Sequence, residues 1–155
     1  MKIYAQYVWL DGRITKWEEA KVHVLTHALH YGTSIFEGIR AYWNGENLYV
    51  FRLDDHVARM FYSAKILGIK MPYSQGEVRN AVLEVLRANS FKEDVYIRPV
   101  AYVSTPTVTL DVRSLDVSVA VVAFPFGKYL PPDGIRAAIV TCSARKPLLT
   151  SGEPT

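Results

Sequence analysis

Apolar and polar positions alternate with a period of two along several short stretches of this chain and with a helical period along two longer ones. Residues 7–10 and 13–17 are strand-like runs on either side of Asp11-Gly12, a dipeptide favoured in two-residue hairpin turns because both positions tolerate positive φ. Residues 39–43 and 47–52 flank Asn44-Gly45 in the same way, so a second hairpin is expected there. Leu53, Val57, Met60, Phe61, Ala64 and Leu67 then recur at helical spacing, with Gly68 as a suitable stop. Ser74 and Glu77 have the spacing of a capping box ahead of Val78, Ala81, Val82, Val85 and Leu86, and Asn89 is suited to end this second helix. Residues 95–104 and 117–124 are β-branched and aromatic runs of strand length joined by a loop over 105–116. Pro131-Pro132-Asp133-Gly134 is a dense turn signal, placing a domain boundary near residue 130, and one more strand is expected over 135–141.

Strands, then two helices, then long strands, without regular strand-helix alternation, predict an α+β fold: a two-layer domain of antiparallel strands and two helices. Strand parity also sorts the side chains. Gly38, Arg40 and Tyr42 share one face against Ile39, Ala41 and Trp43 on the other, and Tyr96, Arg98 and Tyr102 share a face against Val95, Ile97, Pro99, Ala101 and Val103. Two strands therefore each present an arginine beside aromatic rings, a planar cationic fork suited to a carboxylate. Residue pattern alone equally allows these arginines a solvated sheet face or ordinary ion pairs.

Composition narrows the function classes. With 155 residues and 50% hydrophobic positions the chain can bury a core, and a formal charge of +3 spread along the sequence does not signal nucleic acid. The single Cys142 forms no internal disulfide, which fits a reducing, cytoplasmic setting. Neither a signal peptide nor a membrane span is expected, because the longest apolar run, 117–126, is broken by Ser118 and Pro125. His23, His27 and His30 lack an HExxH pattern or a nearby cysteine and are expected to be hydrogen-bonded structural histidines, with no metal site. Phosphate loops of the GxGxxG or Walker type are absent.

Three motifs in order, HALHYGTSIFEGIR (His27 to Arg40), YIRP (Tyr96 to Pro99) and AFPFGKYL (Ala123 to Leu130), closely resemble those of the fold type IV, pyridoxal phosphate (PLP) dependent aminotransferases, and in detail the branched-chain amino acid aminotransferases. The resemblance implies a small amino-terminal domain over 1–125, an interdomain loop over 126–134 and the start of a large domain over 135–155. It implies PLP as cofactor, with Arg59 in LDDHVARMF holding the phosphate, although helical spacing alone reads Arg59 as a solvated arginine. It assigns Phe36, Gly38, Arg40, Tyr96 and Arg98 to the substrate pocket, with Phe126 as a bulky lining residue and Tyr129 as an interdomain-loop tyrosine. Tyr31 and the loop near Thr107 and Val108 resemble parts that reach a neighbouring subunit's pocket, which implies a homo-oligomer.

The implied chemistry is transfer of an amino group between Leu, Ile or Val and 2-oxoglutarate, in a cleft that accepts apolar and acidic side chains in turn. Phe36, Phe126 and Val108 suit the first kind, Arg98, Tyr31 and Tyr129 the second, and Tyr96 the shared α-carboxylate. The resemblance stops near Val140, where TCSARKPLLTSGEPT replaces the family pattern, as expected of a reading-frame change near codon 141 more than of a simple cut. Lys146 lies too early and lacks the Ala-Lys context of the Schiff-base lysine, so no catalytic residue is assigned and the isolated chain is expected to be inactive. The alternative reading is a noncatalytic dimerisation or small-anion-binding module. Single-stranded nucleic-acid binding through Tyr96, Arg98 and Tyr102 lacks any supporting signature.

Overall fold

The computed structural model describes residues 4–127 and 134–135. Strands β1 (Tyr7–Leu10) and β2 (Arg13–Lys16) form the first hairpin, and Asp11 and Gly12 both take positive φ, 44° and 90°. The chain continues through a short 3₁₀ turn, helix α1 (His27–Tyr31), β3 (Ser34–Phe36), β4 (Ile39–Trp43), β5 (Leu48–Val50), α2 (Leu53–Leu67), α3 (Gln75–Asn89), β6 (Val95–Val103) and β7 (Val117–Pro125). The strands form one antiparallel sheet in the order β2-β1-β7-β6-β4-β5, with β3 pairing β6 as well. Its spine is the long β6–β7 ladder, from Val95 opposite Pro125 to Val103 opposite Val117.

Helices α2 and α3 cover one face, giving the expected two-layer α+β architecture. Val57, Met60 and Ala64 of α2 and Val78, Ala81, Val82 and Val85 of α3 are buried against Ile39, Ala41, Val95, Ile97, Val119 and Val121 of the sheet. Leu67, at the end of the expected apolar stripe, is exposed instead. Both helices stop at a left-handed residue that returns its N–H to the last turn, Gly68 after α2 and Ser90 after α3. The capping box forms: the Ser74 hydroxyl accepts from the Glu77 N–H while the Glu77 carboxylate accepts from the Ser74 N–H.

Two local expectations need correction. The second hairpin has a four-residue loop, 44–47, because Trp43 pairs with Leu48 and the Asn44 side-chain oxygen accepts from the N–H groups of Glu46 (3.0 Å) and Asn47 (2.8 Å). Its return strand ends at Val50, since Arg52 turns left-handed (φ 46°) to launch α2. Asn89 ends α3 as expected, with Ser90 after it in the left-handed position, and the Asn89 amide accepts from the N–H groups of Gln6 and Tyr7 and donates to the Tyr7 carbonyl, fastening β1 to the helix layer. The segment before β4 contains α1 and β3. The strand expected over 135–141 lies outside the described residues, apart from Ile135. Among the described residues no helix is long and apolar enough to cross a membrane.

Candidate functional site

The face of the sheet opposite the helices gathers the arginines. β4 and β6 are neighbours with Arg40 opposite Tyr96, and strand parity puts both on this face while Ile39 and Ile97 face the helices. The Arg98 guanidinium donates to the Tyr96 hydroxyl (2.8 Å) and lies over the Phe36 ring, 4.2 Å from its centroid. Pairing of Phe36 with Val100 brings that ring alongside. Arg40 sits 5.8 Å from the ring centroids of Tyr42 and Phe126 and donates to the Gly127 carbonyl (3.4 Å). Tyr96 packs against Phe124 and Phe126 at centroid distances of 5.6 and 5.5 Å. Gly38 permits this assembly, because a β-carbon there would lie 2.6 Å from the Tyr96 hydroxyl oxygen. Phe36, Gly38, Arg40, Tyr96, Arg98 and Phe126 thus converge as one aromatic and cationic surface.

Arg59 belongs to a neighbouring cluster whose organising residue, Glu37, was not singled out from sequence. Arg59 donates through Nε to Glu37 Oε1 (2.7 Å) and through Nη2 to Oε2 (2.5 Å), and His56 Nδ1 donates to Oε2 (2.9 Å). The Glu37 side chain is only 5% exposed, whereas that of Arg59 is 63% exposed. Burial pushes the Glu37 carboxyl up, but its bonds to Arg59 and His56 and their charges outweigh this and hold it below the ordinary carboxylate value. The same hydrogen bond, then the Glu37 charge, raises the Arg59 guanidinium. The available signal was His56 and Arg59 at i and i+3 on α2, one helical surface onto which a single carboxylate can reach.

Tyr31 and Val108 form a separate unit. The Tyr31 hydroxyl donates to the Val108 carbonyl (2.8 Å), and its ring stacks on buried His27 at 4.5 Å. His27 in turn bonds the Thr33 hydroxyl and the Thr109 carbonyl, both at 2.9 Å. His30 bonds the Val24 carbonyl, and His23 Nδ1 accepts from the Leu25 N–H, so all three histidines are engaged as structural groups. No hydrogen bond or ring contact among the described residues joins Tyr31 or Val108 to Arg98 or Tyr96. A cavity of about 620 Å³ lies beside Tyr31, between Leu67, Ile69, Val103 and Leu115, away from the arginine surface. Tyr129 lies outside the described residues.

Residues 34–150 match the family described as Amino-transferase class IV, and the chain belongs to that family. The relatives it resembles are branched-chain aminotransferases. Its fold superposes with a TM-score of 0.85 on the enzyme of Thermoproteus uzoniensis solved with norvaline, at 61% identity over 89% of this chain and 46% of that one. It superposes at 0.73 on the enzyme of Thermobaculum terrenum in its PLP form, at 32% identity over 80% of this chain and 41% of that one. The branched-chain-amino-acid aminotransferase of Escherichia coli K12 is 39% identical over 136 residues, 87% of this chain and 44% of that protein. The chain therefore spans less than half the length of these relatives. Pyridoxal phosphate is the family cofactor: besides the PLP form, branched-chain aminotransferases of this fold are known with pyridoxamine 5'-phosphate and with N-(5'-phosphopyridoxyl)-L-glutamate.

Proposed function

We propose that this chain provides the phosphate anchor and carboxylate-binding wall of a PLP-dependent branched-chain aminotransferase, moving the amino group between Leu, Ile or Val and 2-oxoglutarate. The convergence of Arg40, Tyr96 and Arg98 on one aromatic-lined sheet face is the observation that carries this reading. Arg98, held by Tyr96 and Phe36, presents a cationic fork to a substrate carboxylate, while Phe36 and Phe126 offer the apolar surface a branched side chain needs. Arg59 fits a phosphate: Glu37 occupies two of its N–H groups and leaves the remainder on an exposed side chain. PLP, when bound, supplies the electron sink for the chemistry. Tyr129, outside the described residues, is assigned to the same cleft by the family resemblance alone.

Tyr31 and Val108 serve the site of a second copy. Their unit carries an apolar shelf, Val24, Leu25, Leu29 and Leu110 all being exposed, that such a copy would cover. Among the described residues, none of those gathered around Arg98 is a lysine. The 155 residues alone, in the cytoplasm or in a tube, are therefore expected not to transaminate.

Two experiments test this reading. The purified chain mixed with PLP, leucine and 2-oxoglutarate should form no glutamate, and borohydride-sensitive glutamate formation would contradict its inactivity. Residues 4–127, grafted over the matching segment of the T. uzoniensis enzyme, should yield a chimera that turns over leucine with 2-oxoglutarate. A folded, PLP-loaded chimera without turnover would overturn the assignment.

A further inference from the structure

We infer that Glu37 is a positioning residue for the phosphate anchor, setting the direction of Arg59 before any ligand arrives. The inference rests on the reading of Arg59 as that anchor. Glu37 stands at the junction of β3 and β4, where its N–H donates to the Pro99 carbonyl (3.0 Å), so its backbone is registered to the central strand of the arginine surface. From there its buried carboxylate reaches α2 and grips Arg59 by two parallel N–H bonds, with His56 as a second partner. A solvent-exposed arginine on a helix otherwise samples many rotamers, and an anion must order it at an entropic cost. The grip removes that cost in advance, because a guanidinium held through Nε and one Nη can present its other edge in only one direction.

Electrostatics alone predicts the opposite of positioning. A carboxylate beside an anion site repels the anion, so neutralising Glu37 would tighten phosphate binding if charge were all that mattered. Positioning predicts that Glu37→Gln weakens it. The probe is pyridoxamine 5'-phosphate, which has no aldehyde to react with surface lysines, with pyridoxamine as the phosphate-free control, titrated into the full ¹⁵N-labelled chain and followed by NMR. E37Q is expected to lose affinity roughly tenfold, the worth of one hydrogen bond to a charged group. Arg59→Lys, which keeps the charge but not the fork, should lose at least as much, and adding E37Q to R59K should change nothing further.

In the unsubstituted chain the Arg59 Nε–H resonance should exchange slowly with water, a signature that needs no variant to fold. Exchange as fast as that of an unpaired surface arginine would overturn the inference. So would unchanged or tighter binding by E37Q while R59K binds weakly. Unchanged binding by R59K, or no phosphate-dependent binding by the parent chain, would instead remove the anchor reading itself.

Discussion

The two faces of the central sheet come from the same strands, yet one is a core and the other a receptor. Ile39, Ala41, Val95 and Ile97 are completely buried beneath α2 and α3, while Arg40, Tyr96 and Arg98, their immediate neighbours in β4 and β6, stand on the opposite side. Adjacent residues thus have different work: one set fixes the spacing of the strands through close packing, and the other inherits that spacing as the geometry of a cationic, aromatic surface. Ladder register links the two, because a slip of one residue would exchange the faces.

The strongest way to break this comparison is to substitute neighbours. Ile97→Ala should destabilise the fold by about 2–5 kcal/mol, as cavities in close-packed cores do. Arg98→Gln, one residue on, should stay within about 0.5 kcal/mol in the same urea titration, as surface changes do. Equal losses would show that the faces are not independent. Gly38→Ala joins the two faces, since its added carbon meets the Tyr96 hydroxyl at 2.6 Å. A cost of about 1–3 kcal/mol is expected, and Tyr96→Phe should recover most of it by removing the obstructing oxygen. Failure of that recovery would mean that the clash is not the cause.

Ser74→Ala probes the helix layer without touching either face. Loss of the capping hydroxyl should cost about 1 kcal/mol in urea unfolding and leave the aromatic near-UV signal of the arginine surface unchanged. The smallest effect is acid-dependent. Glu37 has a lowered pKa in the fold, so its stabilisation is fully present above the ordinary carboxylate value of about 4.3 and fades as pH falls through its depressed folded value. Unfolding midpoints measured from pH 7 downward should therefore decline less steeply in Glu37→Gln, and parallel curves would show that Glu37 carries no such linkage.

Much of this arrangement was legible in the residues. The period-two alternation of β4 and β6 assigned the arginines and their apolar neighbours to opposite faces, and helical spacing found α2 and α3, the latter with its capping box, because long or strictly periodic segments carry redundant signals. The short elements were not legible. Five residues in α1 and three in β3 are too few to show a period, and β3 exists because Ile35 and Phe36 find partners in β6, far away in sequence. Asn89 was legible as the end of α3, but the bonds of its amide to β1 were not, because they join residues far apart in sequence. Glu37 escaped notice since an acid between Phe36 and Gly38 reads as an ordinary surface residue until α2 closes over it.

The receptor itself is tested most directly by titrating glutarate, an unreactive five-carbon dicarboxylate, into the ¹⁵N-labelled chain and mapping the perturbed resonances. Shifts are expected at Phe36, Arg40, Tyr96 and Arg98, sparing Ile39, Ile97 and Val121, and they should vanish in Arg98→Gln. Perturbation confined to other surfaces, or a response that Arg98→Gln leaves intact, would contradict the assignment of this sheet face as the acid-binding wall.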